Sequence, residues 1–232
     1  MNQFTLDTTV ADIVRDVPQT GDLFRNLRID FCCGGKIPLS EAAAGRGLDA
    51  EAVLVQVNEV ADKQSAHEQK KPSSFEPAEL ILHIQDKYHS KIREELPLLA
   101  PYVTKLARVH GERYPYVNRV REIYLALKSE LTDHTEDEDN NVFPLINNFF
   151  ANPTEENREA LKPHLEELES EHEAAGDLLK ELRTITNGFQ PPEDACGTHR
   201  LVIARLQELE GDTFEHIHLE NNVLFERARQ VI

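Results

Sequence analysis

From Ala78 onward, apolar residues return at alternating steps of three and four, the spacing that keeps one stripe of an α-helix turned toward a shared core. The first run is His89, Ile92, Leu96, Leu99, Val103, Leu106, and the second is Val117, Val120, Tyr124, Leu127, Leu131, His134, Glu138. The third is Leu165, Leu168, His172, Ala175, Leu179, Leu182, and the fourth is Val202, Leu206, Leu209, Thr213, His216, Glu220, Val223. Helix-breaking segments separate them: His110-Gly111 through Pro115, Asn152-Pro153, and Asn187-Gly188 through Pro191-Pro192. The pattern predicts an all-α chain built on an antiparallel up-and-down four-helix bundle. Pro97 and Pro101 lie off the stripe of the first helix, where they predict a kink or a short break.

Upstream of the bundle, residues 1–61 carry shorter helical patterns (Val10 to Val17, Gly21 to Arg28, Glu51 to Ala61) punctuated by Pro18, Gly34, Gly35 and Pro38. This predicts a small helical domain that bears Cys32 and Cys33. Residues 62–77, DKQSAHEQKKPSSFEP, have no apolar period and two prolines, the composition of a linker. The bundle is then expected over 78–232.

Six polar side chains occupy places where the stripes call for apolar ones: His89, His134, Glu138, His172, His216 and Glu220. Burying so many without partners would cost several kcal/mol each, so the pattern calls for hydrogen bonds or cations. Their depth can be compared, because residues on neighbouring antiparallel helices lie level when equidistant from the connecting turn. The midpoints of His89/His134, His134/His172 and His172/His216 fall at Gly111 to Glu112, at Pro153 and at Asp194, all on or beside predicted turns. A His-x-x-x-Glu pair is weak evidence alone, since ten histidines and 42 acidic residues in 232 positions make about two such pairs expected by chance. The surroundings add weight: His134 to Phe143 reads HTEDEDNNVF and His216 to Phe225 reads HIHLENNVLF. The lone histidines keep the same offset, 83 residues from His89 to His172 against 82 from His134 to His216, so the bundle contains an internal repeat.

Four imidazoles and two carboxylates suit a pair of first-row ions such as iron or manganese, whereas thiolates would favour zinc or an iron–sulfur cluster. Two ions bridged by the glutamates leave room for a bridging oxide or hydroxide and for a small ligand such as dioxygen, peroxide or nitric oxide. Glu130, four before His134, and Glu171, beside His172, are candidates for orienting the imidazoles or relaying protons. His83, His164, His199 and His218 miss the stripe or the level, His67 falls in the linker, and His110 lies roughly 30 Å along the axis from His89. None of these is expected to join the site.

A formal charge of −17 sets the chain against nucleic acid and anionic lipid. No segment approaches eighteen consecutive apolar residues and the N-terminus lacks a secretory pattern, so a cytoplasmic location with no membrane contact is expected. Three cysteines cannot make a disulfide framework, and reduced thiols are expected. Cys32 and Cys33 precede a Gly34-Gly35 turn and are candidates for redox chemistry or iron transfer, while Cys196 reads as a packing residue at the start of the fourth helix.

The segments LFRNLRIDFCCGGK, KYHSKIREELP, VHGERYP, ELTDHTEDEDNNVFP, ESEHEAAGDLL, PPEDAC and HIHLENNVLFERA together resemble the repair-of-iron-centres family, iron–sulfur cluster repair proteins with a hemerythrin-like di-iron domain. The resemblance covers nearly the whole chain. It implies iron ligands at the same six positions, the family's cysteine pair at Cys32 and Cys33, and two non-haem iron ions. It further implies a bacterial stress-response protein that restores iron–sulfur clusters damaged by nitric oxide or peroxide, by donating iron, with damaged iron–sulfur proteins as partners and a homodimer formed through the N-terminal domain. The alternatives are an oxidoreductase that reduces nitric oxide or peroxide at the di-iron centre, and a module that senses or stores oxygen or nitric oxide.

Overall fold

The computed structural model describes residues 4–64 and 71–230. His67 and the middle of the expected linker lie outside the described residues. All regular elements among them are helical, apart from one isolated bridge between Thr9 and Pro38. The chain divides into two compact units, one of Met1–His83 with Phe214–Ile232 and the other of Ile84–Thr213.

The first unit begins with four helices: α1 (Val10–Asp16), α2 (Thr20–Asn26), α3 (Leu39–Ala44) and α4 (Ala50–Gln64). Thr9 starts α1 because its hydroxyl accepts the Asp12 N–H at 3.1 Å, satisfying a donor the first helical turn leaves open. Arg28, at φ 58°, ends α2, and the Ile29 N–H returns to the Phe24 carbonyl at 2.8 Å. A single 3₁₀ turn, Pro72–Ser74, precedes α5 (Pro77–Ile84). The unit is completed by the end of the chain, where a π-helical turn (Glu220–Leu224) leads into α11 (Phe225–Gln230).

Phe31 is the pin of this unit. Its ring meets Phe214 and His218 edge-on at 6.2 and 5.8 Å, and it is almost fully buried. The Phe31 carbonyl accepts from His218 Nδ1 at 3.1 Å and from Asn222 Nδ2 at 3.3 Å, and Asn222 also donates to the Cys32 carbonyl at 2.8 Å. Gly35 makes this possible, because a Cβ there would stand 2.6 Å from the Phe31 carbonyl oxygen.

In the second unit, a π-helical turn (Gln85–His89) runs into α6 (Ser90–His110), which is followed by α7 (Tyr116–Asp137), a second π-helical turn (Glu138–Val142), α8 (Phe143–Ala151), α9 (Glu155–Ile185) and α10 (Gly197–Leu219), the last of which passes its boundary at Thr213. Cross-helix contacts set the directions. Arg93 reaches the Thr135 carbonyl and Tyr124 that of Leu96, so α6 and α7 are antiparallel. Arg119 pairs with Glu181 and His134 with Glu171, making α9 antiparallel to α7. Lys91 with Asp212, Glu95 with Arg205, and Arg183 with Glu210 bring α10 back antiparallel to both α6 and α9. This is an up-and-down four-helix bundle. Its core is the predicted stripe: Ile92, Leu96, Leu99, Val103, Val120, Leu127, Leu168, Leu179, Leu182, Val202 and Leu206 are all buried.

Of the kink or short break expected at Pro97 and Pro101, the break does not form. The helix runs unbroken from Ser90 through Pro97 and Pro101 to His110. The prolines sit on positions turned from the core, and the buried Tyr124 hydroxyl bonds the Leu96 carbonyl next to where their missing N–H groups interrupt the helix's own ladder.

Candidate metal centre

Within the second unit, Glu138 is completely buried and three imidazoles converge on it. His134 Nε2 lies 3.2 Å and His89 Nε2 3.3 Å from Glu138 Oε2, and His172 Nε2 lies 4.0 Å from Oε1. His134 and His172 approach each other to 2.9 Å between their Nε2 atoms. Ligand atoms of His134, Glu138 and His172 fall within 4.8 Å of one another, as do those of His89 and Glu138, close enough to share an ion. Within the first unit, His216 Nε2 stands 2.8 Å from Glu220 Oε1, both side chains fully buried.

The far nitrogens are held from behind. His134 Nδ1 lies 2.7 Å from Glu171 Oε2, and His89 Nδ1 lies 2.8 Å from Asp139 Oδ1. A carboxylate on Nδ1 fixes the tautomer that leaves Nε2 with its lone pair facing inward, as metal-binding histidines require. The His134 hydrogen bond holds the Glu171 carboxyl below its usual range. For Asp139, burial pushes upward, but hydrogen bonds from His89, Gln85 and Arg93 outweigh it and the carboxyl sits below its usual range. The His89 ring also stacks on Phe143, 5.5 Å between centroids at 11°. Glu171→Gln is expected to weaken iron binding about 10–100-fold, the usual cost of losing such a partner. Competition with a chelator measures it, and unchanged affinity would remove Glu171 from the site.

The backbone is specialised at the same places. His89 ends one π-helical turn, Glu138 begins the second and Glu220 the third. Such turns insert a residue into a helix and re-aim side chains, and they concentrate at functional sites. The two copies of the His-x-x-x-Glu motif share this feature, with EDNNV and ENNVL forming the turns.

Glu130, by contrast, is an exposed residue. It lines an open cavity of about 450 Å³ with Asp133, Asp137, Glu167 and Glu171, and His134 and His172 form part of the wall. Asp139 and the π-helical turns escaped the sequence reading, since Asp139 is one acid among several in TEDED and a π turn leaves no gap in the apolar stripe.

Cys32 is buried and Cys33 partly so, with their sulfurs 3.5 Å apart. Asp30 Oδ1 accepts from both backbone N–H groups at 3.1 Å, which ties the pair into a tight turn. Cys196 is corrected: it is exposed, with its sulfur 3.3 Å from His110 Nε2, rather than packed in the core. Its place just before α10 leaves the side chain outside the apolar stripe.

His218, two residues from both His216 and Glu220, points instead at the Phe31 carbonyl, and burial pushes its imidazole down to about 4, with the Phe31 hydrogen bond opposing in part. An imidazole kept neutral in the folded chain but titrating near 6.5 when unfolded binds fewer protons folded than unfolded, so stability falls as pH drops from about 6.5 toward 4. The expected loss is on the order of 2–3 kcal/mol. Urea unfolding at pH 7 and pH 4.5 should show it, and His218→Gln should flatten the slope.

Comparison with known proteins agrees with this architecture. Residues 80–228 match the hemerythrin HHE cation binding domain, and residues 6–61 match a domain of unknown function, DUF542, also called ScdA_N. The iron-sulfur cluster repair protein ScdA of Staphylococcus haemolyticus is 37% identical over 223 residues, covering 96% of this chain and 98% of that protein. ScdA of Staphylococcus epidermidis is 38% identical over 225 residues, 97% and 99% of the two chains. The iron-sulfur cluster repair protein YtfE of Escherichia coli O8 is 35% identical over 222 residues, 96% of each chain. A cation-binding helical domain with a buried cluster of histidines and glutamate, preceded by the ScdA-type N-terminal segment, places this chain in the family of the iron-sulfur cluster repair proteins ScdA and YtfE.

Proposed function

We propose that this protein restores iron–sulfur clusters damaged by nitrosative or oxidative stress, acting in the cytoplasm through two non-haem iron ions bridged by an oxide or hydroxide. The proposed ligands are His89, His134, Glu138, His172, His216 and Glu220. The observation that carries the reading is Glu138, a fully buried carboxylate faced by three imidazoles, two of them backed by carboxylates. That donor set of nitrogen and oxygen suits iron better than a thiolate-preferring ion. Supporting it are the matching His216–Glu220 pair, the repeated motif with its repeated π turn, and the names of the relatives.

When bound, the iron pair supplies a redox-active centre and a store of iron. The protein's share is to hold the ligands. Glu171 and Asp139 keep the His134 and His89 protons on Nδ1, so the inward nitrogens stay unprotonated. Glu130, Asp133, Asp137, Glu167 and Glu171 line the open cavity beside His134 and His172, and their negative charge favours passage of a cation between solvent and site. In the other unit, Cys32 and Cys33 are proposed to receive or transfer iron or electrons near the damaged client.

The test pairs metal analysis with repair. Iron-loaded protein should contain about two irons per chain and should restore activity to a nitric-oxide-treated iron–sulfur dehydratase. Restoration without any loss of iron dependence in Glu138→Ala would sink the reading. Replacing Cys32 and Cys33 together by serine should leave the iron in place and lower repair, and full repair by that variant would remove the thiols from the mechanism.

A further inference from the structure

The two copies of the His-x-x-x-Glu motif run into asparagines that are used in opposite ways. In the turn Glu138–Val142, Asn140 and Asn141 are exposed and answer their own helix, Asn140 Nδ2 donating to the Glu136 carbonyl at 2.7 Å and Asn141 Nδ2 to Asp137 Oδ1 at 2.6 Å. In the turn Glu220–Leu224, Asn221 and Asn222 are buried and reach the Cys32 carbonyl across 189 and 190 positions. A π-helical turn of this sequence therefore forms without any long-range bond from its asparagines, and the reach of Asn222 serves the cysteine turn instead.

That reach grips two successive carbonyls. Asn222 Nδ2 donates to the Cys32 carbonyl at 2.8 Å and to that of Phe31 at 3.3 Å, and His218 Nδ1 donates to the Phe31 carbonyl at 3.1 Å. These are the last two carbonyls before Cys33, the less buried thiol of the pair. The donor stands only two residues past Glu220, which is fully buried with His216 Nε2 2.8 Å away. A π-helical turn carries one residue more than an α-helical one, so losing that register turns one end of the helix by about 100° against the other. Such a change takes Asn222 out of line with both carbonyls.

We propose that Asn222 is a positioning residue that couples occupancy of the His216–Glu220 pair by iron to the reactivity of the Cys33 thiol. With His216 and Glu220 holding iron, the turn keeps its π register, and Asn222 and His218 keep the Phe31 and Cys32 carbonyls that fix Cys33 in its turn. Once the pair is empty, the turn relaxes, both carbonyls are released and Cys33 opens to reaction. The thiols are thereby engaged according to the state of the iron site. This rests on the reading of Glu220 as an iron ligand, and it adds the means by which that occupancy reaches the thiols.

The test reads thiol reactivity. Full-length protein, iron-free or loaded anaerobically with iron(II) and analysed for metal, is treated with iodoacetamide, and alkylation of Cys33 is followed by mass spectrometry with the exposed Cys196 as internal reference. Cys33 should react about 5–150-fold more slowly in the loaded form, the usual strength of coupling between two sites, while Cys196 reacts equally in both. Two variants break the clamp from opposite sides. Asn222→Leu keeps the side chain's shape and removes the donor, whereas Gly35→Ala puts a Cβ 2.6 Å from the Phe31 carbonyl oxygen and displaces the acceptor. Circular dichroism and metal analysis confirm that a variant is folded and loaded, and one such variant suffices. In it, the loaded and iron-free rates should converge on the fast one. Equal rates in a parent that has bound iron, or a difference that survives in the variant, as direct shielding of the thiol by the metal would give, would overturn the coupling and leave the proposed function standing. A parent that binds no iron would overturn both.

Discussion

Glu138→Ala is expected to purify with most of its iron missing and to fall to background in cluster repair, while its circular dichroism stays that of a helical bundle. Glu138 is the single acid facing three imidazoles in the second unit, two of them at 3.2 and 3.3 Å. Removing it deletes the proposed anionic ligand, on which the His89, His134 and His172 nitrogens converge, so the loss should exceed the 10–100-fold typical of outer partners. The apolar helix cores around it are untouched, and only the charge compensation for the ions disappears. Iron quantification and an optical spectrum check the result, and a variant retaining about two irons per chain would mean that Glu138 is not a ligand.

The largest effect on stability should come from a pair outside the metal centre. Arg183 and Glu210 join α9 to α10 in a two-point contact, with Nε to Oε1 at 2.7 Å and a second, shorter contact from Nη2 to Oε2. Glu210 is fully buried and Arg183 nearly so. Arg183→Ala would leave a carboxylate in the interior without its cation, which costs about 3–5 kcal/mol. In a chain of this size that lowers the unfolding midpoint by about 10 °C. The joint replacement Arg183→Met/Glu210→Leu should recover most of the loss, because two buried charges vanish together and the volume stays filled. Calorimetry on the metal-free forms separates this from any change in iron affinity.

The four stripes survive nearly residue for residue as buried positions, because a helix's periodicity converts spacing directly into a face and the turns fix which faces meet. The same arithmetic put His89, His134 and His172 at one depth, where the structure brings all three onto Glu138. Thr9 and Thr154 begin helices for equally local reasons, each hydroxyl taking an N–H of the first turn.

Other features depend on residues far apart in the chain, and spacing within one helix carries no trace of them. Asp139 became the partner of His89 across 50 positions, and Cys196 met His110 across 86. His218 and Asn222 found the Phe31 and Cys32 carbonyls from the opposite end of the sequence. The sequence by itself therefore determined the helices, their buried faces and the common depth of His89, His134 and His172, since these follow from local geometry and apolar burial. Tertiary structure alone decided which polar atom answers which, because a hydrogen bond needs two groups within about 3 Å and correctly aimed, and only the packed chain supplies both conditions.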